Sequence, residues 1–378
     1  MHLNQRTIGF LLFFYMIMVY LLGELIEPNF LDEAYTVLLL AFSVSLKMKK
    51  EQFFCVVIFG LYLVYSHRFS ANPNKIAQYT DCIQLLKPFA FFYFFYKNPL
   101  DFSNRQKKFF RMVCVLIPLV LLISYINYEM KEGLIRHPFT LGITCFSLAI
   151  FYYYLSNDKK KYNTLLFILL IGLLSFRVKY MLEFLLFIMA LFFVKRKIRI
   201  NAKYTILIIL TVLLGSYLAI AKFKFYFVEA DEAARFLLYK TMPLVLKDYF
   251  PFGSGYASYA TSASGVYYSP LYHRYGIDDG YGMTESNYSY ISDTFFPVLA
   301  EFGVVGIFLF FLFWKKRLKE ISNISDDIKN YRIALLIVAM VGIESVAGPV
   351  FVMSYNFIPM ALLGSICNKS IQKQSCDA

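Results

Sequence analysis

The chain has 378 residues, of which 59% are hydrophobic and 17% charged, with a mean hydropathy of +0.55. Soluble domains carry about 25% charged residues, so a water-soluble globule is excluded and an all-α polytopic membrane protein is expected. The formal net charge of +13 suggests nucleic acid, but its distribution along the chain points to membrane topology instead.

Apolar runs of spanning length recur throughout, and about twelve spans fit: 7–23, 30–46, 53–65, 84–96, 109–126, 139–155, 163–176, 180–194, 204–221, 293–314, 331–347 and 350–366. The basic clusters KMKK (47–50), KKK (159–161), KRKIR (195–199) and KKRLK (315–319) each fill a short gap between two runs. By the positive-inside rule such gaps are cytoplasmic, which puts both termini inside and leaves no nucleic acid among the partners. The runs 53–65 and 84–96, and the pair flanking Arg177, are short. Extension by their flanks or a re-entrant path is expected there. Residues 7–23 lead into Glu24 and Glu27 without a small-x-small cleavage site, so they are expected to stay as an anchor. The six cysteines include no CxxC pair and the four histidines no HExxH spacing. Neither a disulfide framework nor a metal site is signalled.

Ionisable residues at the bilayer are costly and mark candidate sites. Arg136 and His137, in LIRHPFTLG, fall at an external loop-to-span junction. There His137 is either a base or a structural residue before proline. Arg177 and Lys179 interrupt LLSFRVKYMLEFLLF at an external turn. They either snorkel as turn cations or meet a lipid-linked phosphate, since positive charge here runs against the topology rule. Glu183 follows Lys179 at helical spacing and is expected to pair with it. That leaves Arg177 as the freer fork for phosphate.

One long segment, 222–292, stands outside the apolar runs and faces outward in this topology. It is dense in tyrosine, and Tyr256 and Tyr288 are candidate sugar contacts, because phenol offers a flat apolar face and a hydroxyl. Interfacial packing is the plainer use. Residues 229–249 place apolar side chains at helical spacing and predict an amphipathic helix on the outer membrane surface. Arg235 and Lys240 lie on it, and Glu229, Asp231 and Glu232 are near enough to neutralise Arg235. PFGSGYASY (251–259) lacks the Lys-Ser or Lys-Thr of a phosphate-binding loop and reads as a tight turn. Ser292 and Asp293 have the chemistry of a cap for a helix beginning at the next residue, with Pro297 in its first turn. A helix N-terminus would hold the Asp293 carboxyl low, and burial near lipid would push it back up. Glu301 would lie about two turns further along, on another face, where a basic residue of a neighbouring helix is its plainest partner.

In this order, SFRVKY after a span, ARFLLYKTMPLVLKDYFPFGSGYASY opening the large loop and SDTFFPVLAEFGVVGIFLFF closing it resemble the O-antigen polymerase (Wzy) and O-antigen ligase superfamily. The motifs cover roughly residues 135–315. In that family the second block reads as Arg, an apolar stretch and Pro-x-Gly-x-Gly. The third carries a polar residue, often His-Asn, ahead of an apolar-x-Glu-x-Gly pattern. AEFGVVG fits, whereas Ser292-Asp293 replaces the His-Asn, so a histidine base does not carry over. The start Ser-Asp-Thr looks closer to polymerases than to ligases.

The resemblance implies a metal-independent glycosyltransferase of the bacterial cytoplasmic (inner) membrane, acting at its periplasmic or extracellular face. Such an enzyme moves a growing glycan from undecaprenyl diphosphate onto the non-reducing end of a lipid-linked repeat unit, building lipopolysaccharide O-antigen, capsule or another polysaccharide. The donor is already activated, so no cofactor is called for. Implied partners are undecaprenyl-diphosphate-linked oligosaccharides, membrane lipids and a chain-length regulator. Arg177 and Arg235, helped by Lys179 or Arg136, are the candidates for stabilising the diphosphate. Asp293 is the candidate base, with Glu301 and Glu285 as rivals. His137, Lys240, Tyr256 and Tyr288 complete the candidate substrate contacts. The alternatives are a polysaccharide ligase and a lipid-linked oligosaccharide flippase. A flippase would show two similar halves with Gly- or Pro-broken helices, and the sequence has no such halves.

Overall fold

Long apolar runs bury their backbone polar groups best as helices, because each N–H and C=O is then satisfied within its own segment. The computed structural model describes residues 4–17, 31–126, 138–156, 161–194 and 233–377; among them each predicted run is helical over most of its described length, and there is no strand. In chain order the helices are α1 Gln5–Ile17, α2 Leu31–Ser45, α3 Lys50–Phe69, α4 Lys75–Lys97, α5 Asn104–Ile126, α6 Pro138–Leu155 and α7 Lys161–Leu173. They continue as α8 Val178–Phe193, α9 Ala234–Asp248, α10 Ser262–Val266, α11 Leu271–Arg274, α12 Gly303–Asn323, α13 Ile328–Val346 and α14 Phe357–Asp377. Short 3₁₀ helices occupy Phe296–Phe302 and Ser354–Asn356. The expected span 204–221 and the loop's first residues, 222–232, lie outside the described residues, as do Arg136 and His137.

Three helices among the described residues are long and apolar enough to cross a membrane: Lys50–Phe69, Asn104–Ile126 and the continuous Phe296–Asn323. The other expected spans are shorter or carry polar groups. In α4 these are Gln78, Asp81, Gln84 and Lys87, and α4 packs along α14 at the centre of the fold. The short runs 53–65 and 84–96 are both extended by their flanks, into α3 and α4. Asn74 caps α4 by accepting hydrogen bonds from the amides of Ile76 and Ala77.

The region after α9 departs most from expectation. The amphipathic helix is present, with Ala234, Leu238, Thr241 and Val245 on its buried face, and that face packs on the Phe296–Phe302 3₁₀ helix. The chain then enters the interior instead of turning at the surface. The Tyr62 and Tyr65 hydroxyls donate to the carbonyls of Phe252 (2.7 Å) and Gly253 (2.9 Å). The Asn72 carboxamide donates to the Ala257 carbonyl at 2.8 Å. Two buried carboxylates satisfy the amides: Asp81 Oδ2 accepts from Ala257 at 2.7 Å, and Glu301 Oε1 accepts from Ser258 and Tyr259, both at 2.7 Å.

Glu301 therefore holds the loop's backbone and does not pair with a basic residue. The helix expected to begin after Asp293 does not form. Residues 293–295 are irregular, a 3₁₀ helix follows from Phe296, and α-helix starts only at Gly303, whose φ is +63°. A 3₁₀ run of this length is uncommon on its own. Here the carbonyls of Ala300 and Glu301 accept from the amides of Ser254 (3.4 Å) and Gly255 (3.0 Å), and this pairing holds it.

Tyr256 belongs to the same seat. It is fully buried, with its ring set edge-on to Phe302. Tyr259 and Tyr272 are also fully buried and spend their hydroxyls on the Leu238 carbonyl (2.6 Å) and Ser264 Oγ (2.7 Å). The tyrosines thus divide between a loop core and an outer set that includes Tyr281 and Tyr288.

The docking can be tested at Gly253, where φ is +83° and an added Cβ would meet the Glu301 carbonyl at 2.2 Å. Gly253→Ala is expected to destabilise by on the order of 3 kcal/mol, combining left-handed strain with overpacking. Gly276→Ala has φ +60° but open space around it, so only about 1 kcal/mol is expected. Thermal unfolding of the detergent-solubilised variants reads the difference; equal melting points would mean that the loop is not seated.

Candidate functional site

Two helix starts, one irregular stretch and one helix end bring separate charges together. Arg177 precedes α8 and Lys179 lies in its first turn; Arg235 is in the first turn of α9. Asp293 lies just before the span that opens at Phe296. The Arg235 Nε and Asp293 Oδ2 form an ion pair at 2.6 Å, with the two side chains 22% and 27% exposed. Burial raises the Asp293 carboxyl above the usual aspartate value, while the positive charges of Arg235, Lys179 and Arg177 oppose that rise. No helix N-terminus holds it down, because no helix starts at the next residue. Asp293 is consequently a better proton acceptor than a capping aspartate.

Lys179 does not pair with Glu183. Its Nζ meets Glu344 Oε2 of α13 at 2.5 Å and donates to the Ala347 carbonyl at 2.9 Å. The reason is energetic. A same-helix pair contributes only about 0.2–0.5 kcal/mol, whereas this position satisfies a buried carboxylate and an orphan carbonyl at the end of α13. The Tyr239 hydroxyl donates to the neighbouring Val346 carbonyl at 2.7 Å, so α9 and α8 both fasten the end of α13. Glu183 is buried below, and neither of its carboxylate oxygens has a hydrogen-bond partner among the described residues.

The cluster therefore joins Arg177, Lys179, Arg235 and Asp293 with Glu344 and Tyr239, which the sequence reading did not single out. Glu344 had a signal: in VGIESVAGPV it is a lone carboxylate inside an apolar run. Lys240 is exposed, with its ammonium 5.6 Å from the Phe236 ring centre. Tyr288 is 41% exposed on the loop surface, and Glu285 is also exposed. Tyr256 and Glu301 are buried in the loop's seat, where Tyr256 packs and Glu301 binds backbone.

Beside the cluster runs an apolar groove of about 690 Å³ between α3 and α12. Phe295, two residues from Asp293, lines it and packs on Phe310, partway along α12, and Glu51, Lys316 and Arg317 lie at one end. Along α12 it extends from Val305 to Arg317, roughly 18 Å at the helical rise. A cationic cluster next to a groove of this length and chemistry can hold an anionic headgroup and its hydrocarbon tail together. Comparison of the chain with known protein families, with curated proteins and with solved structures gives no match.

Proposed function

We propose that the chain is an O-antigen-type polysaccharide polymerase, joining lipid-linked glycan units at the outer face of the cytoplasmic membrane. The observation that carries this reading is the Arg235–Asp293 ion pair, set among further cations and next to an apolar groove. Under the same reading the chain has about twelve spans, both termini inside and 222–292 facing outward.

The chemistry uses the pair in both states. A diphosphate entering the cluster competes with Asp293 for the Arg235 guanidinium, because phosphate takes a forked pair of hydrogen bonds. The displaced carboxylate is then free to accept a proton. The acceptor hydroxyl oxygen attacks the donor's anomeric carbon, and the bond from that carbon to the diphosphate oxygen breaks. Its electron pair leaves with undecaprenyl diphosphate, stabilised by Arg177, Arg235 and Lys179, and the hydroxyl proton passes to Asp293. The groove between α3 and α12 suits the donor's hydrocarbon tail.

Purified protein in proteoliposomes is expected to lengthen lipid-linked repeat units. Cells lacking the protein should retain single repeat units on the final carrier, whereas loss of a ligase would leave none. Arg177→Ala and Arg235→Ala should each lower the rate about 100- to 1,000-fold with the protein still folded in the membrane. Arg235→Lys should also be impaired, since a lysine offers no fork. Wild-type chain lengths in all three would remove the diphosphate assignment, and lipid crossing the bilayer without lengthening would make the protein a flippase.

The pH dependence follows from Asp293. Protonation removes its capacity as an acceptor, so the rate should fall as pH drops through its pKa. Because burial raises that pKa, the acidic limb should lie above the ordinary aspartate range. In Arg235→Ala the residual activity should show the limb at higher pH still, since the opposing cation is gone. Asp293→Asn should lose the limb together with most activity. A limb unmoved by Arg235→Ala would mean that another group titrates.

A further inference from the structure

A second cavity, of about 570 Å³, lies under the outer loop, between the start of α2, one face of α4, α10 and the connection from α13 to α14. Its size falls in the range of roughly 300–1,000 Å³ typical of small-molecule sites. Unlike the apolar groove it carries several polar side chains among its lining, and hydrogen bonds already order them. The Lys87 ammonium, almost fully buried, lies 2.7 Å from Asp32 Oδ2 and 2.5 Å from Glu33 Oε1. Gln84 donates to Glu33 Oε1 at 3.3 Å, and Ser354 donates to Asp32 Oδ2 at 3.1 Å. Tyr267 adds an aromatic wall.

The cavity shares its rim with the cationic cluster through two chain segments. Ser292 lines it and is bonded to Asp293; Pro349 lines it and follows Ala347, whose carbonyl accepts from Lys179. The two regions differ in charge. The cluster is rich in cations, whereas here the lining holds three carboxylates, Asp32, Glu33 and Asp81, and one ammonium, Lys87, an arrangement that disfavours phosphate. Planar carboxylate and carboxamide groups beside a phenol ring are chemistry that binds vicinal hydroxyls and packs on a sugar face.

We propose that this cavity is the acceptor-glycan subsite, holding the non-reducing end of a neutral or amine-bearing glycan so that its hydroxyl meets Asp293. The inference rests on the polymerase reading. It adds the location and charge preference of the sugar that is extended: an acidic terminal sugar would face Asp32 and Glu33 and be rejected.

The test uses the full-length protein in lipid nanodiscs. The probe is the free oligosaccharide released by mild acid from the host's own lipid-linked repeat units. Saturable binding is expected. Ser262→Trp narrows the cavity from the first residue of α10 and leaves Asp32, Glu33 and Lys87 unsubstituted, and it should weaken binding at least tenfold. Gln84→Ala should do the same, raising KM for the acceptor at least tenfold with kcat within threefold of wild type. Arg235→Ala should keep oligosaccharide affinity within twofold while losing turnover. If Ser262→Trp and Gln84→Ala both bind and elongate as wild type does, the subsite is wrong and the polymerase reading stands. If the wild type never elongates but binds the probe, and Ser262→Trp abolishes that binding, the cavity stands as a glycan site and the polymerase reading falls.

Discussion

A peptide segment that enters an apolar interior must bring partners for its amides and carbonyls; in this protein Tyr62, Tyr65 and Asn72 meet the carbonyls, and two buried carboxylates meet the amides. Asp81 and Glu301 together take the amides of Ala257, Ser258 and Tyr259. Leaving one such amide unmade costs about 1–3 kcal/mol, so the segment has few other places to go. Once it is seated, much else follows. The 3₁₀ helix that carries Glu301 cannot relax into α-helix without giving up the pairing between Ala300, Glu301 and the loop. That irregular stretch sets where Asp293 lies, and α9, packed on the same 3₁₀ helix, brings Arg235 to it.

The charged cluster depends on this frame, because its members come from elements that are remote in sequence. Lys179 is committed to the end of α13 and Arg235 to Asp293, so neither cation has to be ordered when a ligand arrives. Preorganised charge in a partly desolvated setting is worth more than the same charge in water. The arrangement also explains why Asp293 keeps a raised pKa beside three cations: burial outweighs them.

How much of this was legible in the sequence differs by length scale. The helices were, because apolar runs of sufficient length have no better way to satisfy their backbone. The arginine and lysine of SFRVKY, Arg235 and Asp293 were also visible as charges at the edges of apolar runs, although their meeting depends on packing. The start of the last large span was misread because Ser292-Asp293 carries strong local capping chemistry, while the decisive interaction, Glu301 with a loop far upstream, is tertiary. Lys179 shows the same contest: its near neighbour Glu183 is favoured by spacing, and Glu344 wins by supplying a buried carboxylate next to an unpaired carbonyl. Tyr256 was read by residue type alone, and type does not distinguish a sugar platform from a core residue whose ring packs against Phe302.

The groove between α3 and α12 carries a consequence of its own. Its walls include Phe54 and Leu61, which stay largely exposed on a helix of membrane-spanning character. In a bilayer, a slot with such walls would exchange its contents sideways with lipid, by diffusion in two dimensions. Its occupancy then follows the mole fraction of an amphiphile in the bilayer and not that amphiphile's concentration in water. Diluting the bilayer with inert lipid would empty the slot even at a constant total amount of amphiphile.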